Sequence, residues 1–195
     1  MVVYSIGHSN QSFEQFLGLL RMHDIQVLVD VRSAPYSRYV PHFNERELRA
    51  ATLDAGLKYV YLGRELGGRP DYSPELYDDD GHALYSRIAQ TTFFREGIER
   101  LTNGVSQFRV AMMCSEEDPT DCHRRLLVAT VLSDAGVTTR HIRGDGRLDS
   151  DADLSQPAHV QPLQASIFGD VNRDILWRST RSVLPRSPRS DSLGS

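Results

Sequence analysis

A chain of 195 residues with a net charge of −4 and a hydrophobic share of 39% has the size of one ordinary domain plus some extra chain, and the make-up of a globular protein. That balance excludes a large basic surface for coating nucleic acid, and no apolar run approaches the length of a membrane span, so a cytoplasmic protein with no membrane partner is expected. Two cysteines, Cys114 and Cys122, are too few for a disulfide scaffold and are of more interest for chemistry.

In chain order, Val2–Ile6 is a short strand-forming run, and Ser12 with Gln15 three residues later forms a capping box. Phe13, Phe16, Leu17 and Leu20 supply the apolar stripe of the helix that follows. Val27–Val31 is apolar except for Asp30, as suits a strand covered on both faces. Asn44 with Glu47 opens a second helix, which Gly56 ends, and Tyr59–Leu62 is a third strand. Residues 63–81 form a long irregular connection rich in glycine, proline and acid. Helical spacing runs over His82–Leu101, with Asn103-Gly104 as its stop. Phe108–Met113 is a fourth strand, Arg124–Ala135 a helix stopped by Gly136, and Thr138–Ile142 a fifth strand.

Strands separated by helices need crossovers. The expected fold is therefore α/β, a mostly parallel sheet of about five strands flanked by helices in three layers. The domain is placed at residues 1–148. From 149 to 195 the pattern dissolves into an irregular tail rich in Ser, Pro and Arg.

In a parallel sheet, ligands bind beyond the carboxyl ends of the strands. Those ends carry Gly7-His8-Ser9-Asn10, then Asp30-Val31-Arg32-Ser33, then Gly63-Arg64 with Gly67-Gly68-Arg69, then Cys114-Ser115-Glu116, then Arg143-Gly144. Polar and reactive residues thus fall on one edge five times. The densest stretch is CSEEDPTDCHRR, where a strand-end thiol and a helix-start Cys122-His123-Arg124 are the surroundings that activate a cysteine. Cys114 is read as the nucleophile, His123 and Glu116 as proton handlers, and His8 as a neighbour that either takes part or is a structural imidazole. Arg32, Arg38, Arg64, Arg69 and Arg124, with Ser33, Gly67, Gly68 and Cys122, form the expected binding set for a small anionic or nucleic-acid substrate. The alternative is that the loop arginines pair with Glu65 or Asp30.

Cys114, Cys122, His123 and the distant His8 could supply four zinc ligands. Against this, a seven-residue gap is not a zinc-knuckle spacing, and adjacent Cys-His pairs rarely both face one ion. The sequence therefore requires no cofactor, and zinc stands as the minority alternative, with Cys114 a ligand in place of a nucleophile. A persulfide on Cys114 ranks lower, because Asp118-Pro119 interrupts the loop with an acid and a missing donor. In the tail, Gln164, Ser166, Ile167 and Phe168 resemble the short peptides that dock on a bacterial DNA sliding clamp, which gives a second reading as an adaptor recruited through its tail.

YSIGHSN, Phe13–Leu20, LVDVRSAPYSR, Phe43-Asn44, GLKYVYLGRELGG and MMCSEEDPTDCHR occur in order between residues 3 and 146 and together resemble domain-of-unknown-function family 488. That family's pattern puts Cys-x-Glu before a Cys-His-Arg, matched here by Cys114-Ser115-Glu116 and Cys122-His123-Arg124. The resemblance implies the α/β fold and marks these positions as a signature. It implies no reaction.

Overall fold

A computed structural model describes residues 1–70, 73–154 and 177–183. Its elements run β1 (Val2–Gly7), α1 (Phe13–Met22), β2 (Val27–Asp30), α2 (Glu45–Asp54), β3 (Lys58–Tyr61), α3 (Gly63–Leu66), α4 (Tyr85–Ile88), α5 (Thr92–Val105), β4 (Val110–Cys114), a π-wound run Arg124–Ala129 continuing into α6 (Thr130–Asp134), β5 (Thr138–Ile142) and β6 (Leu148–Ser150). The fold is α/β, with one six-stranded sheet in the order β3-β2-β4-β1-β5-β6. Five strands are parallel; β6 joins the edge antiparallel.

Period-two alternation sorts the strand side chains onto two faces. Val3, Val27, Val29, Val110, Met112 and Cys114 share one apolar cluster with Phe94 and Leu101 of α5 and Leu132 of α6. Tyr4, Ile6, Leu28, Ala111 and Met113 share the other with Phe16 and Leu20 of α1 and Leu48 of α2. Helices therefore cover both faces, and burying each large aliphatic or aromatic side chain contributes about 1.5–3 kcal/mol. The capping box at Ser12 and Gln15 closes as the sequence implies.

The departures have local causes. The helical run expected over His82–Leu101 breaks at Gln90-Thr91, where Thr91 takes extended backbone and its hydroxyl donates to the Ile88 carbonyl. α5 then runs past the expected Asn103-Gly104 stop, because Val105 is drawn into the core. β6 straddles the expected domain boundary at residue 148. Trp177–Val183, assigned from sequence to the irregular tail, returns to the body as a strap. Ser179 N donates to the Ala83 carbonyl at 2.8 Å, Val183 N to Gly81 at 2.9 Å, and the Trp177 indole to Leu126 at 2.7 Å.

The connection after β1 passes over β4 to reach β2, and that after β4 passes over β1 to reach β5. The two central strands thus send their chains in opposite directions and open a crevice between them, where α/β sheets bind ligands.

Arg178 pairs with Asp78 to hold the strap. Burial raises the Asp78 carboxyl, but the His82 amide and the Arg178 guanidinium outweigh it and keep it below its ordinary value. A depressed acid favours docking above its free value and stops doing so as pH falls through the docked one, so the strap should loosen below about pH 4. Trp177 is the only tryptophan. Its emission should shift to the red on acidification in the native chain, and Asp78→Asn should abolish that dependence. Identical profiles for the two proteins would show that the pair does not hold the strap.

Candidate functional site

The site grows from the end of β4. Cys114 is the last residue of the strand, on the face shared with Val110 and Met112. The chain then turns back on itself: Thr120 N donates to the Asp118 carboxylate at 2.9 Å, and Cys122 N to the Pro119 carbonyl at 3.1 Å. This brings Cys122 and His123 beside Cys114.

Arg124, wholly buried, holds the loop from behind. Its guanidinium donates to the carbonyls of Glu116 (2.6 Å) and Glu117 (2.7 Å) and to Ser5 Oγ (3.3 Å). The Glu117 carboxylate meets Arg143 at 2.9 Å and the Gly144 amide at 2.9 Å. Two glycines allow the close approach. A Cβ on Gly7 would lie 1.7 Å from the Glu116 carbonyl oxygen, and one on Gly68 would lie 2.7 Å from the His123 ring.

Four donor atoms converge. Glu116 Oε2 is 3.0 Å from Cys114 Sγ and 3.3 Å from Cys122 Sγ. His123 Nδ1 is 3.7 Å and 3.9 Å from the same sulfurs. The other ring nitrogen, Nε2, donates to the Val31 carbonyl at 3.0 Å, so Nδ1 presents its lone pair to the thiols. The contact with Cys122, then burial, pushes the Cys114 thiol well up. Burial raises Cys122 too, but the contact with Cys114 and the Arg124 charge hold it well below its usual value. Burial lowers His123, yet its contact with Cys122 leaves it raised.

This cluster floors a crevice of about 730 Å³. Arg32, Ser33, Gly68 and Arg69 of the expected binding set line it. Arg32 is only 4% exposed and is paired inward, its Nη2 on Asp30 at 2.6 Å and on the Phe43 carbonyl at 2.8 Å, the pairing with Asp30 that sequence left as an alternative. Gly67 packs on Ser33, Arg64 is exposed on α3, and Arg38 lies over the Tyr39 ring outside the crevice lining. His8 does not join the four donors. Its ring stacks on Phe43 at 4.3 Å, Nδ1 donates to the Ser9 carbonyl at 2.7 Å, and Nε2 faces the Arg32 guanidinium at 3.1 Å. Burial and then Arg32 lower its pKa to about 4, which favours the neutral imidazole at ordinary pH.

Sequence reasoning left Tyr36 and Arg181 out of the binding set. Both line the crevice, Tyr36 from the loop after β2 and Arg181 from the strap. Tyr36 follows a strand end and was within reach of that argument; nothing local marks Arg181. Gln164, Ser166, Ile167 and Phe168 lie outside the described residues.

A family model described as "Domain of unknown function DUF488" matches residues 12–131, a span that holds all four floor residues and Arg124. No curated protein and no solved structure matches the chain.

Asp30 is wholly buried and accepts from Arg32 at both carboxylate oxygens and from the Tyr59 hydroxyl at 2.8 Å. Asp30→Ala should lower the free energy of urea unfolding by about 3–5 kcal/mol, because it strands the Arg32 guanidinium in the interior. Adding Arg32→Met should recover most of the loss. A cost under about 1 kcal/mol for the single variant would contradict a structural role for Arg32.

Proposed function

The chain belongs to the DUF488 family, whose name carries no reaction, and from the crevice itself we propose an enzyme acting on an anionic substrate of the nucleotide or nucleic-acid class. One observation carries this reading. Four reactive groups from the two ends of a single loop meet at the floor of a crevice whose walls offer cations and an aromatic ring. The volume, about 730 Å³, lies in the range of small-molecule sites.

The roles follow from position. Arg69 and Arg181 are exposed cations of the walls, and Arg181 lies 3.9 Å from the Asp121 carboxylate. They suit the anionic part of the substrate. Tyr36, 76% exposed at the crevice, offers a face on which a base can stack. Arg32 and Arg124 act behind the surface, as supports for the strand ends and for the loop. Glu116 is exposed while the thiols beside it are buried, so its carboxylate is the floor group best able to exchange a proton with substrate or water. A net charge of −4 favours one nucleotide gripped locally over a polymer held along its length.

Calorimetric titration with nucleoside mono-, di- and triphosphates and short single-stranded oligonucleotides tests the proposal. One class should bind, and Arg69→Ala and Arg181→Ala should each weaken it about ten-fold or more. Glu116→Gln should keep the binding and lose turnover of the bound compound. Failure of every compound to bind at millimolar concentration, or binding indifferent to both arginine variants, would end the proposal.

A further inference from the structure

We propose that Cys114, Cys122 and His123 form a three-ligand site for a divalent metal ion of the zinc class, with its fourth position turned to the crevice where Glu116 stands. The inference deepens the enzyme reading by naming what makes the floor reactive, and rests on that reading only for the site's purpose. The placement stands on its own geometry.

The two sulfurs and Nδ1 all lie within 4.8 Å of one another. Zinc–sulfur bonds of about 2.3 Å and zinc–nitrogen bonds of about 2.0–2.1 Å at tetrahedral angles put sulfur and nitrogen about 3.6 Å apart. The separations here are 3.7 and 3.9 Å. Both sulfur–nitrogen edges of the site therefore already have close to the length that a tetrahedral ion sets.

The imidazole is prepared as metal-binding histidines are. Its far nitrogen donates to a backbone carbonyl, that of Val31, which fixes the tautomer and turns the free lone pair onto the sulfurs. Gly68 packs against one side of the ring and removes its freedom to turn away. On the cysteine side, Arg124 clamps two carbonyls of the loop that joins the ligands.

Charge supplies a third argument. Two sulfurs, a carboxylate oxygen and an imidazole lone pair crowd together, and the only hydrogens they can place between themselves are those on sulfur. A divalent ion would replace those protons. Two thiolates would then balance the ion. The seven-residue gap that counts against a zinc knuckle is no obstacle, since the Asp118-Pro119 turn folds it back on itself. Three protein ligands with one side open to a pocket is the arrangement of catalytic zinc, which lowers the pKa of a bound water.

The test uses the full chain, reduced, stripped with a chelator and titrated with cobalt(II). One equivalent should bind with thiolate-to-cobalt charge-transfer bands and the intense visible bands of a tetrahedral ion, and zinc(II) should bleach them. Cys122→Ser and His123→Gln should weaken cobalt binding by more than the about 10–100-fold that loss of an outer-shell partner costs. Should a variant fail to fold by circular dichroism, the native chain suffices: zinc should shield both thiols from a thiol reagent, and chelator should expose them. Substoichiometric cobalt, an octahedral spectrum without thiolate bands, or thiols that react equally fast with and without zinc would overturn the proposal. No nucleotide enters this experiment, so its failure leaves the substrate reading to be judged by the arginine variants, and the reverse.

Discussion

Burying a guanidinium is costly unless its nitrogens find oxygens, and Arg124 meets that demand with two carbonyls of one loop and the Ser5 hydroxyl. Its position at the start of the helical run 124–134 lets it reach under residues 115–121 and hold Glu116 and Glu117 by their carbonyls, while Nε touches Ser5 on the central strand. The loop is thereby tied to helix and sheet together. Everything reactive in the crevice hangs on that tie. Cys114 enters the loop and Cys122 leaves it, Glu116 is gripped directly, and His123 is the neighbour of the arginine itself.

The same need explains another of the buried arginines. Arg32 lies at the end of β2, which pairs with β4, and Asp30 two residues earlier meets it with both carboxylate oxygens. Arg32 in turn occupies His8 Nε2, which leaves that imidazole neutral and stacked on Phe43. Two cations and a histidine that face a reactive crevice in sequence are therefore part of the frame that shapes it. Cations available to a ligand come from the periphery, from Arg69 after α3 and Arg181 in the strap.

Why sequence separates these roles poorly is visible residue by residue. The strand ends were legible, because apolar runs such as Val27–Asp30 and Val110–Cys114 declare buried parallel strands and chain order does the rest. The meeting of Cys114, Glu116, Cys122 and His123 was legible too, since all four sit at the two ends of one short loop. Whether an arginine points into a pocket or into the core is not encoded locally: Arg32 and Arg69 both follow strand ends, and only the buried Asp30 beside the first decides between them. Contacts closed over long chain separations were equally hidden. Arg181 reaches the crevice because Ser179 pairs with Ala83 and Trp177 with Leu126, and neither partner is marked in the chain.

The π-wound run Arg124–Ala129 joins these observations. Wide turns of this kind leave carbonyls available for other donors and recur at functional sites. Here the Leu126 carbonyl accepts from both the Thr130 hydroxyl, at 3.1 Å, and the Trp177 indole, at 2.7 Å. The helix that presents Cys122 and His123 at its start therefore anchors the strap one turn later, and the strap supplies a wall of the crevice over those residues. A carbonyl oxygen carries two lone pairs, so Leu126 can serve its own helix and the strap at the same time. That shared acceptor is thus what ties the segment holding the floor of the site to the strap that walls it.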